Sequence, residues 1–310
     1  MFERLAACAA DYEVILEPDE NTPDWWAGAP SVWRDADGTF YLAARMREGN
    51  SPRGRRGYEI RILRSADGRR FETVHRIARD AAGVPGFERP ALVRDPVTGK
   101  YRLYGCAGLE DRGWAILKFD DADDPAKIDP ASARPILAAE QDGDWFARTV
   151  GYKDPVVFWD NGLWHMFVIA FDRVERIHHF TSGDGEAWTP APGNPVMEHA
   201  GWHNFYLRPA SVVPMIVGYL FVYEGSHVNW RDPVYNIATG LAYSPDLVTF
   251  VDLTPEAPLL KSTTPGDYDT WRYSHWLPVG NELYVYFEAA RPNNTNEIRL
   301  ARIPQSACRA

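Results

Sequence analysis

Residues 154–170 read Asp-Pro-Val-Val-Phe-Trp-Asp-Asn-Gly-Leu-Trp-His-Met-Phe-Val-Ile-Ala. Two apolar runs rich in β-branched and aromatic residues flank Asn161-Gly162, a pair that readily adopts the positive φ angles of a tight turn. The stretch therefore predicts a β-hairpin. Asp154 stands at the start of its first strand, directly before a proline, and is the first candidate for a functional residue.

Segments with the same pattern recur along the chain. They begin at Pro30, Pro90, Pro155, Pro209 and Ser274. These starts are 60, 65, 54 and 65 residues apart, so five units account for nearly all of the 310 residues. Repeats of this size that each carry several strands indicate a propeller. We therefore predict an all-β chain in which residues 1–310 form a single five-bladed β-propeller.

A second repeated feature supports this count. Residues 65–71, 182–188 and 244–250 share a Ser-x-Asp turn followed by an aromatic residue. The last clear strand of the fifth unit is 297–303, and we expect an early strand near residues 12–16 to close the ring against it. Residues before this strand are expected to begin with a short helical turn.

Composition narrows the function classes. No run of about 18 apolar residues exists, and the first ten residues lack the apolar segment of a signal peptide, so we predict a cytoplasmic protein without a membrane partner. Cys8, Cys106 and Cys308 are widely spaced and odd in number. They predict reduced thiols, with no disulfide framework and no zinc site. No cofactor is expected to be required.

The net charge of −10 argues against a nucleic-acid partner, which needs a basic face. The small basic cluster Arg53, Arg55 and Arg56 is interpreted as a solvated loop. Twelve Trp and fifteen Tyr exceed what a small core requires. Most of them are expected to pack between blades, and some to stack on sugar rings, which predicts a carbohydrate partner.

The first strand of each blade lines the channel of a propeller, so the five unit openings should converge on one mouth. Cleavage of a glycosidic bond needs two carboxyl groups flanking that bond. The catalytic candidates are Asp154, Glu224 and Glu88, where Glu224 ends an apolar strand and Glu88 lies two residues before Pro90. Turn capping for Asp154 and a structural ion pair of Glu88 with Arg89 or Arg208 are the non-catalytic alternatives.

Further polar and aromatic side chains near the openings are candidates for substrate binding. They are Asp24, Trp25, Trp26, Arg45, Arg89, Trp202, His203, Asn204, Arg208, Tyr273, His275 and Glu288. The alternatives are that the arginines only balance the acids, that His275 is a core histidine, and that the adjacent Trp25 and Trp26 pack at a blade edge. No metal ligands are predicted.

Several segments resemble one family. Tyr223-Glu224-Gly225 followed by residues 234–242, together with residues 286–291 and 40–45, is similar to segments of glycoside hydrolase family 130, which holds mannoside phosphorylases and mannosidases. More broadly, the chain resembles the five-bladed propeller glycosidases of families 43, 32, 117 and 130. The resemblance extends over almost the whole chain and implies the propeller fold and action on a glycoside.

The chain departs from these families at three informative positions. Arg89 stands where family 130 carries its general acid, Ala29 where family 43 carries an acid before the first proline, and Glu224 where family 130 carries a histidine. Glu88-Arg89-Pro90 also resembles some galactan-cleaving members of family 43, where this glutamate assists an acid on another blade. Some relatives hold a buried Ca²⁺ at the channel centre, which would imply the same here, although no ligand cluster in the sequence establishes it.

Three functions stay open at this point. The first is a glycoside hydrolase with Asp154 and Glu224 as acid and base and Glu88 tuning a pKa or sharing the role. The second is a glycoside phosphorylase in which Arg45, Arg89 and Arg208 hold phosphate. The third is a carbohydrate-binding propeller without catalysis. The sequence leaves the sugar, the linkage and the oligomeric state open.

Overall fold

The computed structural model describes residues 2–49, 57–110, 113–140, 149–230 and 236–308. The cluster Arg53, Arg55 and Arg56, and the residues Val234 and Tyr235 of the family-like segment, lie outside these ranges. Strands make up most of the described chain, which confirms the predicted all-β class. An amphipathic helix α1 (Phe2–Ala9) precedes them, as expected. Short 3-10 turns occur at Pro125–Lys127, Pro130–Ser132, Gly201–His203 and Gln305–Cys308.

Twenty strands are described, and they fall into successive antiparallel sets. After β1 (Tyr12–Leu16), the sets are β2–β5 (Trp26–Arg34, Phe40–Arg47, Gly57–Ser65, Glu72–Ala78), β6–β9 (Ala91–Arg94, Tyr101–Leu109, Gly113–Lys118, Arg134–Ala138), β10–β13 (Gly151–Asp160, Leu163–Phe171, Glu175–Ser182, Thr189–Pro190), β14–β17 (Tyr206–Pro214, Tyr219–Ser226, Ala238–Ser244, Val251–Asp252) and β18–β20 (Trp271–Val279, Glu282–Ala290, Asn296–Pro304). Each of these five sets begins within a few residues of a predicted unit start.

The sets follow one another around a closed circuit. The first strands are neighbours in the order β2, β6, β10, β14 and β18, and β18 contacts β2 again. The early strand β1 pairs antiparallel with β20, with Tyr12 opposite Ala301, so the prediction that residues 12–16 close against 297–303 is confirmed. The chain therefore ties its beginning to its end through one sheet.

The hairpin predicted for residues 154–170 is present. β10 and β11 pair from Gly151 opposite Phe171 to Asp160 opposite Leu163. Asn161 and Gly162 form the turn with φ of 48° and 83°. Positive φ at both positions is what a tight two-residue turn between twisted strands requires, and Asn and Gly tolerate it best.

The repeated Ser-x-Asp turn also has one structure throughout. In its first copy the Ser65 hydroxyl accepts the Asp67 and Gly68 N–H groups, while Asp67 Oδ1 accepts the N–H groups of Arg69 and Arg70. The copies at residues 182–187 and 244–249 repeat these bonds. Side-chain capping of this kind satisfies turn N–H groups that no strand can reach.

Buried apolar side chains lie mainly between adjacent sets. Among the described residues they form five clusters, each shared by two neighbouring sets, including one between the last set and the first that contains Tyr286, Leu300 and Phe40. Full burial of such a side chain contributes roughly 1.5–3 kcal/mol. The hydrophobic effect thus holds each set against the next around the circuit.

Bulges interrupt several of the first strands. The pairing register shifts between Gly28 and Ser31 in β2, between Lys153 and Val156 in β10, and between Arg272 and His275 in β18. Non-glycine residues with positive φ stand inside these bulges: Ala29 at 52°, Asp154 at 56° and Tyr273 at 53°. Such bulges re-aim side chains and are frequent beside functional sites.

The predictions of no membrane span and of reduced thiols can be compared with the helices and cysteines of the structure. No helix in the described part of the chain is long and apolar enough to cross a membrane. Cys8 and Cys106 are free thiols, and Cys106 is buried.

Candidate active site

The candidate residues gather at the bulges. The Arg89 N–H donates to Asp154 Oδ1 (3.1 Å), the Tyr273 hydroxyl donates to Asp154 Oδ2 (3.0 Å), and the Ser274 N–H donates to Glu224 Oε1 (3.0 Å). Because Tyr273 and Ser274 are adjacent, one short backbone segment links Asp154 to Glu224. We call the whole group the central ring: Arg45, Glu88, Arg89, Asp154, Arg208, Glu224, Arg272, Tyr273, Ser274 and Glu288.

Glu224 is a buried carboxyl group with few partners. Its side chain is 0% exposed, and Oε2 makes no hydrogen bond to any described residue. Burial raises the pKa of Glu224 to about 7, against the opposing effects of the Arg89 charge and the Ser274 N–H. A carboxyl group in this state is partly protonated at neutral pH and has one oxygen free to donate that proton.

Glu88 has the opposite electrostatic surroundings. Its Oε2 lies 2.5 Å from Arg45 Nη1, and its side chain keeps 13% of its surface exposed. Burial by itself would raise the pKa of Glu88, but the charges of Arg45 and Arg47 outweigh burial and lower this pKa to about 2. The ion pair of Glu88 is thus with Arg45, and not with Arg89 or Arg208.

Glu288 is fully engaged by its neighbours. Oε2 accepts from the Ala29 N–H (2.9 Å) and Arg45 (3.0 Å), while Oε1 accepts from Arg272 (2.7 Å) and from Asn296 Nδ2 (2.6 Å). Burial opposes its ionisation, but Arg272 and Arg45 lower the pKa of Glu288 below the ordinary value. With both oxygens occupied, this carboxylate organises the arginines and has no oxygen left for a substrate.

Tyr273 lies at the centre of the cationic groups. The guanidinium carbons of Arg45, Arg89 and Arg272 are 5.4, 5.8 and 5.0 Å from the centroid of its ring. Cation–π attraction of this kind is stronger in a buried site than at the surface. Burial and the Asp154 charge raise the pKa of the Tyr273 hydroxyl, which therefore stays protonated and keeps its hydrogen bond to Asp154.

Arg208 belongs to a separate ion-pair group on one side of the ring. Its Nε donates to Glu175 Oε2, and Glu175 Oε1 lies 2.6 Å from Lys153 Nζ. Burial opposes the charge of Glu175, but Arg208 and Lys153 lower its pKa. Arg208 and Glu224 are opposite each other in the strand pair β14–β15, but the Arg208 side chain pairs with Glu175.

Of the aromatic candidates of the first opening, Trp26 lies against Arg272 of the central ring, with the guanidinium carbon 5.0 Å from its ring centroid. Trp26 is 0% exposed, its indole N–H donates to the Asn294 carbonyl (3.1 Å), and Arg47 lies over its ring. Trp25 is half-buried against Tyr58, with 5.9 Å between ring centroids. Asp24 is half-buried beside it. Side-chain alternation thus directs the two tryptophans differently, as the strand geometry requires.

Trp202, His203 and Asn204 form a third group. Trp202 stacks on Tyr223 with ring centroids 5.7 Å apart, and its indole N–H donates to the Thr254 carbonyl (2.7 Å). His203 Nε2 lies 3.0 Å from an oxygen of Asp252. Asn204 is exposed, and its Oδ1 accepts the N–H of Val228. Tyr223 and Glu224 are adjacent in β15, so their side chains point to opposite faces of the strand. The group around Tyr223 therefore lies on the face away from Glu224.

His275 and Arg89 line the same cavity. His275 is half-buried, and the cavity has a volume of about 280 Å³ and otherwise largely apolar side chains along its wall. Burial and the Arg89 charge lower the pKa of His275 to about 3. Over the described ranges, no three His, Cys, Asp or Glu side chains are grouped so that they could share a metal ion. No metal ligands were predicted from the sequence, and the calcium site of some relatives enters only as what the family resemblance implies.

Several participants were not identified from the sequence, among them Lys153, Glu175, Arg272 and Ser274. Lys153 and Arg272 directly precede the candidates Asp154 and Tyr273. Their position next to these candidates could have identified them as site residues. Glu175 carried no such signal, because it begins the third strand of its set and reaches the ring only through Arg208. Ser274 acts through its backbone N–H, which no side-chain pattern reveals.

Solved structures share this fold. The structure of a BT0996 RGII complex is 18% identical with a TM-score of 0.74, and the match covers 97% of this chain and 95% of the other. The β-1,2-mannobiose phosphorylase from Listeria innocua in complex with β-1,2-mannobiose is 14% identical with a TM-score of 0.67, covering 94% and 95%. A thermostable family-43 glycoside hydrolase is 13% identical with a TM-score of 0.62, covering 92% of both chains.

The predicted resemblance to propeller glycoside hydrolases is confirmed for the fold. No family model matches the sequence. No curated protein matches it either. At these identities the likeness concerns architecture, and the chemistry has to be argued from the central ring.

Proposed function

We propose that the chain is a five-bladed β-propeller glycoside hydrolase whose catalytic acid is Glu224 and whose catalytic base is Glu88. The five antiparallel sets, the closed circuit of their first strands and the clusters between adjacent sets support the blade count. The observation that carries the function is the opposed state of the two glutamates. Glu224 is buried with Oε2 unpartnered and its pKa is raised to about 7, whereas Glu88 is ion-paired to Arg45 and its pKa is lowered to about 2.

Two carboxyl groups whose surroundings separate their pKa values are suited to acid and base roles at one pH. In the proposed reaction Glu224 gives its proton to the glycosidic oxygen as the bond from that oxygen to the sugar carbon breaks. Glu88 takes a proton from the water that attacks the same carbon. The Ser274 N–H holds Glu224 Oε1 in place, which leaves Oε2 to carry the proton.

Asp154 is a positioning residue in this proposal, which changes the pairing predicted from the sequence. Both of its oxygens accept hydrogen bonds, from the Arg89 N–H and the Tyr273 hydroxyl. It thereby fixes the Tyr273-Ser274 segment, and through the Ser274 N–H it orients Glu224. The wide distribution of the fold among glycoside-active proteins is consistent with a carbohydrate substrate.

Hydrolysis is favoured over phosphorolysis by the state of the arginines. Arg45 is bound to Glu88 and Glu288, Arg208 to Glu175, and both Nη atoms of Arg89 donate to backbone carbonyls. A phosphate bound by these three groups would have to displace partners already in place. The arrangement instead resembles a scaffold that holds carboxylates.

The test is a panel of glycans and aryl glycosides assayed for free sugar with and without phosphate. We expect free sugar in both conditions, and a loss of about 10²–10⁴-fold for Glu224→Gln on substrates with poor leaving groups. The loss should be much smaller on a dinitrophenyl glycoside, whose leaving group needs no proton. Glu88→Gln should impair both substrates alike.

Two outcomes would overturn the proposal. Release of sugar 1-phosphate that depends on phosphate would establish a phosphorylase. Sugar binding by calorimetry without turnover of any substrate would establish a carbohydrate-binding propeller, which the presence of Ala29 in place of the family-43 acid would then explain.

A further inference from the structure

Beneath the central ring, the channel holds a cavity of about 280 Å³. Its wall is made by the first strands after their bulges and is mainly apolar, with residues such as Val32, Leu92, Val212 and Trp276. An engineered apolar cavity of about 150 Å³ stays dry and binds benzene. The present cavity is therefore large enough for a benzene ring that carries a short side chain.

Arg89 closes the inner end of this cavity. The side chain is 2% exposed, and its two Nη atoms donate to the carbonyls of Pro209 (3.0 Å) and Ala210 (2.6 Å) across the channel. Its Nε is buried and has no hydrogen-bond partner among the described residues. No described carboxylate lies within ion-pair distance of this guanidinium, although the other arginines of the central ring each have such a partner.

A buried cation without an ion pair is unfavourable, because its lost hydration is not replaced by an opposite charge. Arg89 therefore offers an unused donor to whatever enters the cavity, together with a charge that has no direct ion pair and is attracted by Glu224 and Asp154 at longer range. His275 lies at the same end and makes no hydrogen bond to a described residue, so its ring N–H is a second donor there.

The opposite end of the cavity has an apolar rim. Pro96 and Pro214 line the cavity, and the residues that follow them are exposed: Val97 by 77%, Met215 by 55% and Ile216 completely. Single exposed apolar side chains are common on protein surfaces, but several of them around one opening mark a binding surface. A ligand with an apolar body can approach along this rim.

We propose that the channel beneath the central ring binds a small aromatic monocarboxylate, with its ring among the apolar and tryptophan side chains and its carboxylate on Arg89 Nε and His275. The aromatic preference follows from the wall, to which Trp33, Phe158, Trp159, Trp164 and Trp276 contribute. This site is distinct from the proposed catalytic carboxylates, so its test does not depend on any hydrolase activity.

The test is calorimetric titration of the whole protein with 3-phenylpropionate, using 3-phenylpropanol and propionate as matched probes. We expect binding at or below about 1 mM for 3-phenylpropionate, at least about 10-fold weaker binding of the alcohol, and none for propionate. Val212→Phe, which fills the cavity, should abolish binding. Val251→Phe adds the same bulk at an exposed strand position away from the cavity and should leave binding unchanged.

Arg89→Lys keeps a charge but removes Nε, and we expect it to erase the preference for the carboxylate over the alcohol. Near-ultraviolet circular dichroism verifies folding, and Val156→Phe, which fills the same cavity from β10, replaces Val212→Phe if that variant is unfolded. The proposal is overturned if the wild type binds no probe at millimolar concentration. It is equally overturned if the alcohol binds as tightly as the acid, or if a folded cavity-filling variant binds as the wild type does.

Discussion

Glu224 and Glu288 occupy equivalent places in two successive sets, yet their surroundings make them chemically different. Each lies opposite an arginine of the preceding strand, Arg208 and Arg272. Each also accepts an N–H from the bulge of the next set, and each is completely buried. In spite of this shared geometry, the pKa of Glu224 is raised and that of Glu288 is lowered.

The difference comes from where the arginines point. Arg272 donates to Glu288, and Arg45 reaches it from the next set, so this carboxylate is doubly paired. Arg208 turns instead to Glu175 and leaves Glu224 with one backbone N–H. The repeated strands place a glutamate at the same position in both sets. The partners of each glutamate then decide whether it is an ionised ion-pair partner, as Glu288 is, or keeps its proton, as Glu224 does.

The largest effect expected from this comparison is the loss of activity in Glu224→Gln. We expect a reduction of kcat by about 10²–10⁴-fold on poor-leaving-group substrates, with no loss of thermal stability, because no ion pair is lost. Steady-state kinetics and a thermal melt measure both quantities. Glu72→Gln, at an exposed surface ion pair, is the matched control. A Glu224→Gln variant as active as the wild type would contradict the assignment of Glu224 as the catalytic acid.

The counterpart is Glu288→Gln, which should act on stability. Removing its charge leaves Arg45 and Arg272 buried with one fewer partner each, and breaking a buried pair costs about 3–5 kcal/mol in free energy of unfolding. Denaturant unfolding at neutral pH measures this loss, with Glu224→Gln as the control in the same position of the neighbouring set. Equal stability of the two variants would show that the pairing of Glu288 contributes nothing.

The two glutamates should also give opposite pH dependences of stability. Because the pKa of folded Glu224 is about 7 and its ordinary value is 4.5, the native state retains a proton that the unfolded state has lost. Stability of the wild type relative to Glu224→Gln should therefore fall by roughly 3 kcal/mol as pH rises from about 4.5 to about 7, at about 1.4 kcal/mol per pKa unit.

For Glu288 the sign is reversed. Its folded pKa lies below the ordinary value, so its ionisation stabilises the protein above that value, and this contribution is lost as pH falls through the folded pKa. Denaturant unfolding of the wild type and both glutamine variants across pH 3 to 8 separates the two curves. Parallel curves for the two variants would contradict the assigned protonation states.

The smallest effect concerns the glycine that accommodates Glu288. A Cβ at Gly28 would lie 1.9 Å from Glu288 Oε2 and 2.2 Å from its Cδ, so Gly28→Ala must displace a carboxylate held by four partners. We expect a loss of about 1–3 kcal/mol, typical of overpacking. Gly183→Ala, where a Cβ meets no atom within 4 Å, is the matched control in denaturant unfolding. Equal effects at both positions would mean that Glu288 can move freely.

Much of this architecture was predictable because it depends on short-range patterns. Alternating apolar runs, Asn161-Gly162 and the Ser-x-Asp turns specify hairpins locally, and their repetition predicted both the unit starts and the strand that closes the ring. Glu224 was likewise recognised as an acid at the end of an apolar strand, and Glu288 as a polar candidate near an opening. Their local sequences, Val-Tyr-Glu-Gly and Tyr-Phe-Glu-Ala, are too similar to tell the two roles apart.

The sequence by itself thus determined the all-β class, the hairpin turns and most of the charged residues of the central ring. Only the tertiary structure decided which arginine meets which carboxylate, since Arg45 lies 243 residues from Glu288 and Arg89 lies 65 from Asp154. Backbone hydrogen bonding and side-chain alternation act over a few residues, whereas a pKa depends on every charge and every lost water around a group. The chemistry proposed for Glu224 therefore follows from its three-dimensional surroundings.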